Sequence, residues 1–239
     1  MAWKFADQIH ALTGYNAESE SDSVTGENFN LLANQWLVDA TKEIINILPP
    51  RLKLKCAKVT NLYISNTNTT MDMDGVGDIL HVTRENADSG YYIGCREIPS
   101  IYADSANDSS SLHYATATDP VYWVESNSSS ASTLFVKPTP TAAQPAKINH
   151  ISYPPNSTDW DGSNLPGAST SIANFPDEAE YLVVLRASIT ALEYKIAEEE
   201  DMELYIPMIS NLKQEYIQGI TALKSNQLKQ PEAKAQGAK

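Results

Sequence analysis

Cysteine is scarce in this chain: Cys56 and Cys95 are the only two in 239 residues. They show no metal-ligand spacing and allow at most one disulfide. The expectation is two free thiols on paired strands, in a reducing compartment. Long apolar runs are also missing. No stretch reaches the roughly 20 apolar residues that a membrane-spanning helix needs, and the opening MAWKFADQIH has no secretory apolar core. That pattern predicts a soluble protein, made in a cytoplasm, with no membrane partner. Positive charge is the third shortage. Lys and Arg number 17 against 30 Asp and Glu, for a net charge of −13. A body this acidic does not wrap DNA by neutralising phosphates, although it suits a channel that repels DNA or simply a soluble surface.

Catalytic signatures are missing as well. The chain has no G-x-S-x-G elbow, P-loop, H-E-x-x-H or G-x-G-x-x-G. His10, His81, His113 and His150 are scattered, with His81 and His150 on predicted strands. Abundant serines and aspartates do not make a triad, which is a matter of geometry. The expectation is no enzyme, no cofactor and no metal. Met71–Asp78 (MDMDGVGD) has some features of a calcium loop, but counted from Asp72 the position of the bidentate acid is Thr83. A glycine-rich hairpin turn is the better reading.

What the chain does have is helical periodicity at both ends. A short helix fits Lys4 to Thr13, with Phe5, Ile9 and Leu12 on one face and Gly14 to end it. Residues 15–27 are polar and acidic and read as a loop. A second helix fits about 26–48, with Ala33, Leu37, Ala40, Ile44 and Leu48 as its stripe, flanked by Leu32, Trp36 and Ile47. Thr25 is its predicted N-cap, and Pro49-Pro50 stops it. After Phe175-Pro176, the acids Asp177 and Glu178 mark a helix start. Leu182, Leu185, Ile189, Leu192 and Ile196 then recur every three or four residues, with Ala179, Ala187 and Ala191 among them. A last helix carries Ile206, Ile209, Leu212, Tyr216, Ile220 and Leu223, with Pro207 opening or kinking it. The acids Glu198, Glu199, Glu200, Asp201 and Glu203 form a solvated corner between these two helices.

Between residues 51 and 174 helical periodicity disappears. Short β-branched and aromatic runs predict strands near 57–65, 78–84, 91–98, 121–126, 132–137 and 146–153. Val121–Glu125 and Thr133–Lys137 form a hairpin with a serine-rich tip. Residues 154–174 read as an irregular surface strap. Tyr63, Tyr91, Tyr92, Tyr102, Tyr114, Tyr122 and Trp123 make either a sugar-binding platform or half-buried sheet residues, and the second reading is favoured. No internal repeat is visible.

The predicted class is α+β. An antiparallel bundle of about four helices (residues 1–50 and 175–226) carries an inserted antiparallel β-domain (51–154), a small sandwich or open barrel. The strap (155–174) and a C-terminal arm (227–239) complete the chain. Residues 226–239 hold three lysines and one glutamate, so they carry +2 and the remainder −15. With Leu228 as its one large apolar residue, this segment cannot order alone, and it reads either as a frayed terminus or as an arm that orders on a partner.

The run Phe175–Leu192 (FPDEAEYLVVLRASITAL), the short first helix, the long second helix and Ile148–Pro155 (INHISYPP) resemble the head–tail connector (adaptor) proteins of tailed bacteriophages. The resemblance covers about half the chain, its helical part. It implies a virion neck protein, forming a ring of about twelve copies beneath the portal protein ring. Bundles then surround a channel through which double-stranded DNA passes without specific binding. A portal-binding arm maps onto Lys224, Gln227, Leu228, Lys229, Gln230, Pro231 and Lys234. Glu198, Glu199, Glu200, Asp201 and Glu203 become candidate channel-lining acids, and the β-domain faces a downstream neck or tail protein. The competing expectation is a virion or surface β-module for adhesion or glycan binding on a helical base. Adhesins are commonly trimers, so copy number separates the two.

Overall fold

Periodic apolar stripes at both ends and β-branched runs between them give a mixed α+β chain. The structure is a computed structural model, and describes residues 3–14, 29–63, 67–86, 90–126, 132–155, 160, 165–198 and 202–228. It divides into two compact units, Met1–Cys56 with Tyr153–Lys239, and Ala57–Ser152.

The first unit is helical. Helix α1 (Phe5–Thr13) buries Phe5, Ile9 and Thr13, and Gly14 ends it at φ 68°, donating its N–H to His10 O. Leu12, expected on the buried face, is only half-buried. Thr13 takes the inner position because its hydroxyl is satisfied by Ile9 O at 2.8 Å. Helix α2 (Phe29–Ile47) buries the whole predicted stripe, Ala33, Leu37, Ala40 and Ile44, with Leu48 just beyond its end. Its predicted cap, Thr25, lies outside the described residues. Pro49-Pro50 does stop α2, but Pro50 also opens a short helix, α3 (Pro50–Lys53), as proline in a first turn allows.

Residues 154–174 are not merely a surface strap. Trp160 is 1% exposed and meets Phe5 edge to face at 5.4 Å. Gly167 donates its N–H to the buried Asn34 Oδ1 at 2.7 Å. A Cβ at Gly167 would stand 3.1 Å from that oxygen, so glycine lets the segment settle on α2. Phe5 N–H donates to Ser169 O at 3.0 Å. The segment supplies a tryptophan, one backbone donor and one backbone acceptor to the helical core, which a purely polar strap would not do.

Helix α4 (Asp177–Glu198) follows a turn through Asn174, at φ 52°. Glu180 Oε1 reaches back to accept the Ile172 N–H at 2.7 Å, in the manner of a capping box. Leu182, Leu185, Ile189 and Leu192 are all buried, and Ile196 is half-buried. Helix α5 (Met202–Leu228) contains Pro207 in its second turn rather than at its opening. Ile209, Leu212 and Tyr216 are buried, but Ile206 is 57% exposed and departs from the predicted stripe. Gly219 lets α4 and α5 approach closely, since a Cβ there would collide with Leu182 Cδ2.

The second unit contains two four-stranded sheets. The strands are β1 (Ala57–Leu62), β2 (Thr70–Asp72), β3 (Val76–Glu85), β4 (Tyr92–Gly94), β5 (Arg96–Glu97), β6 (Val121–Ser126), β7 (Ser132–Lys137) and β8 (Ala146–Ser152). Their orders are β1-β8-β3-β4 and β2-β7-β6-β5. Neither sheet closes into a barrel among the described residues, and both contribute to one core, with Leu62, Val82 and Ile148 from the first and Met71, Leu134 and Val136 from the second. The β6–β7 hairpin has the expected register, from Val121↔Lys137 to Ser126↔Ser132; its tip lies outside the described residues.

Three expectations are corrected here. The run 91–98 is two strands: β4 pairs with β3, while β5 joins the other sheet parallel to β6, so the pairing is not wholly antiparallel. Cys95 is the crossing point, with its N–H on Val82 O and the next N–H, of Arg96, on Pro120 O. The glycine-rich turn is not a hairpin either. Asp72 Oδ1 accepts the Asp74 N–H and Gly75 sits at φ 68°, but β2 and β3 then enter different sheets. The cysteines are free but not on paired strands. Cys56 ends a 3-10 turn before β1, and Cys95 lies between β4 and β5. Burial pushes the Cys56 thiol up to about 11 and the Cys95 thiol to about 12, with Lys53 and Arg84 respectively opposing the shift.

Candidate functional site

The most developed polar feature of the helical unit is a groove of about 340 Å³. It lies where α2, α4 and α5 meet, and Glu43, Arg186, Ile189, Glu193, Lys213, Tyr216 and Ile217 line it. Ile189 belongs to the buried stripe of α4 and forms its floor, while Ile217 stands 62% exposed. Glu43 serves two partners. Its Oε2 accepts from Arg186 Nε at 2.7 Å and its Oε1 accepts from the Tyr216 hydroxyl at 3.1 Å. Arg186 Nη1 also donates to Thr190 Oγ1 at 3.1 Å. A second pair, Lys213 Nζ and Glu193 Oε1, bridges α5 and α4 at 2.7 Å.

Electrostatics inside the groove follow from this wiring. Burial lowers the affinity of the Arg186 guanidinium for its proton, but the bond to Glu43 and its charge outweigh that and hold it above the ordinary value. The Tyr216 phenol is pushed well up, first by burial and then by the Glu43 carboxylate beside it. Arg186 and Tyr216 therefore both keep their protons through the neutral range. The trio ties three helices together with directional bonds. Tyr181, 47% exposed on α4, donates to Glu215 of α5 at 2.9 Å and extends the same seam.

Among the sequence-predicted site residues, Lys224 is exposed on α5, and Glu203 is exposed in the first turn of that helix. Glu198 is the last residue of α4. Gln227 and Leu228 are helical, so α5 runs two residues past the predicted boundary at 226. Glu199, Glu200, Asp201, Lys229, Gln230, Pro231 and Lys234 lie outside the described residues. Neither Glu203 nor Lys224 lines the groove, and the sequence reading does not anticipate it. Its only signal in the sequence is a charge inside an apolar run: Arg186 between Leu185 and Ala187, and Glu43 just before Ile44.

The aromatic residues of the second unit do not form one platform. Tyr122 and Trp123 are buried, whereas Tyr91 is 76% exposed. His150, buried on β8, sits 3.0 Å from both Thr60 Oγ1 and Ile151 O, a satisfied sheet histidine. No helix among the described residues is long and apolar enough to cross a membrane. The chain matches no known protein-family model and none of the curated proteins.

Proposed function

We propose that the chain is a structural head–tail connector of a tailed bacteriophage, a helical bundle with an inserted two-sheet domain, assembled as a ring beneath the portal. The observation that carries this reading is the two-sided character of α5. One face buries Ile209, Leu212 and Tyr216 against the rest of the unit, while Leu204, Ile206 and Ile217 are 66%, 57% and 62% exposed. Ile206 and Ile217 are eleven residues apart, three helical turns, and share a face. A helix apolar on two faces suits side-by-side packing of like bundles. The composition supports it too: an acidic body repels DNA, and a basic segment follows α5 where a docking arm belongs. In this reading Glu198, Glu199, Glu200, Asp201 and Glu203 line the channel or its rim. The segment from Lys224 onward engages the portal.

The test is genetic and structural. Phage lacking this chain are expected to accumulate DNA-filled heads without tails, and complementation restores tailed particles. Tailed, infectious particles made without the chain overturn the proposal.

A further inference from the structure

The segment between β5 and β6 inverts the usual rule of burial. Its small apolar residues, Ala106 and Ala115, are 2% and 7% exposed, while its large ones, Ile101 and Leu112, are 82% and 91% exposed. A segment ordered only for its own stability would put the large side chains inside, because buried apolar area is what stabilises. The segment is nonetheless well built. Two 3-10 turns, Ser100–Tyr102 and Asp104–Asn107, run through it. Ala115 N–H donates to Ala106 O at 3.0 Å. The alanines sit on a local core with Ile98, Val121 and Trp123. The Tyr102 and His113 rings stack at 4.3 Å, which brings together the two parts of the segment that carry the exposed Ile101 and Leu112, and Tyr114, next in sequence, is 38% exposed. The segment thus presents Ile101, Tyr102, Leu112 and Tyr114 to solvent on an ordered backbone.

Its charge has one sign. Residues 98–119 contain three aspartates and no lysine or arginine. Asp119 is paired with Arg96 at 3.0 Å. Asp108 accepts from the Ser110 N–H at 2.9 Å and the Ser110 hydroxyl at 2.8 Å, and these bonds hold its carboxyl below the usual range. Asp108 and Asp104 thus remain as negative charges on the segment that presents the patch.

We infer that the patch of Ile101, Tyr102, Leu112 and Tyr114 is a docking surface for another protein, whose contacting segment combines aliphatic or aromatic side chains with lysine or arginine. Exposed apolar anchors supply affinity by leaving water, and the aspartates select a basic partner and exclude acidic ones. The inference stands on this unit alone and does not depend on the connector proposal.

The probe is a random displayed peptide library, selected on the full-length protein and counter-selected on Ile101→Ser/Leu112→Ser. Both changes fall on exposed side chains, so the variant keeps the wild-type melting temperature. Enriched peptides are expected to pair apolar residues with Lys or Arg. As synthetic peptides they lose roughly tenfold or more in affinity for the double serine variant. Asp104→Asn/Asp108→Asn, in which the amide keeps the Ser110 turn, weakens them severalfold at low salt and little at high salt. Four results each overturn the inference: no enrichment, enrichment of acidic peptides, equal binding to wild type and variants, or salt-independent binding. Self-association of the full chain abolished by the serine changes makes the patch a contact between copies, and glycan-array binding lost in the same variant makes it a sugar site. Either result also overturns the inference.

Discussion

Replacing Ile189 by alanine tests whether the α4 stripe is the core of the helical unit. Ile189 is 1% exposed and forms the floor of the Glu43–Arg186–Tyr216 groove. The change removes three carbons, worth about 2.4 kcal/mol at about 0.8 kcal/mol per buried group. A residual cavity adds to this, and substitutions of this kind cost about 2–5 kcal/mol. The open groove beside the site lets neighbours relax, which favours the lower half of that range. The expected loss is about 3 kcal/mol, or a fall in melting temperature of roughly 6–12 °C for a chain of this size. Urea unfolding followed by far-ultraviolet circular dichroism reports the helical unit directly. The matched control is Ile217→Ala on the rim of the same groove, 62% exposed, where a change within about 0.5 kcal/mol is expected. A loss at Ile189 below about 0.5 kcal/mol, or one equal to the control, refutes the packing argument.

Glu43→Gln keeps the shape of the groove and removes the charge that Arg186 and Tyr216 share; because the Glu43 side chain is 43% exposed, it should cost about 1 kcal/mol in the same unfolding assay. Tyr216 titrates above its unfolded value, near 10, so its stabilising contribution is complete below about pH 10 and is lost as pH rises through the folded value. Urea midpoints measured from pH 8 to pH 11 should fall more steeply for wild type than for Tyr216→Phe. With the Cys56 thiol at about 11 and the Cys95 thiol at about 12, a disulfide reagent at pH 8 should label the native protein far more slowly than the urea-unfolded chain. On the connector reading, converting Glu198, Glu199 and Glu200 to lysine should slow genome ejection at low salt and less so at high salt, through new phosphate contacts. An unchanged low-salt rate in particles that contain the mutant ring removes these acids from the channel.

Local periodicity made the helices legible. The α2 stripe and the α4 stripe through Leu192 are apolar at every third or fourth residue and are buried as a set. The β6–β7 hairpin was equally readable, because two β-branched runs flank a serine-rich stretch. What the sequence concealed are events that one side chain or one backbone bond decides. Strand order turned on Cys95, where the chain leaves one sheet for the other, and on Gly75, where a tight turn serves two sheets instead of one hairpin. Trp160 was lost among the prolines and glycines of a segment that composition alone marks as surface. The groove was hidden for a different reason. Arg186 and Tyr216 meet Glu43 across 143 and 173 residues of sequence, and a helical stripe says which face is buried but not which distant acid completes it.

The connector proposal turns on assembly, and the most direct measurement is the native mass of the complex that this 26.2 kDa chain forms in isolated particles. A closed ring of about twelve copies contributes about 314 kDa from this chain, and dissociates to the monomer mass. A trimer, about 79 kDa, contradicts the connector and favours the adhesion module.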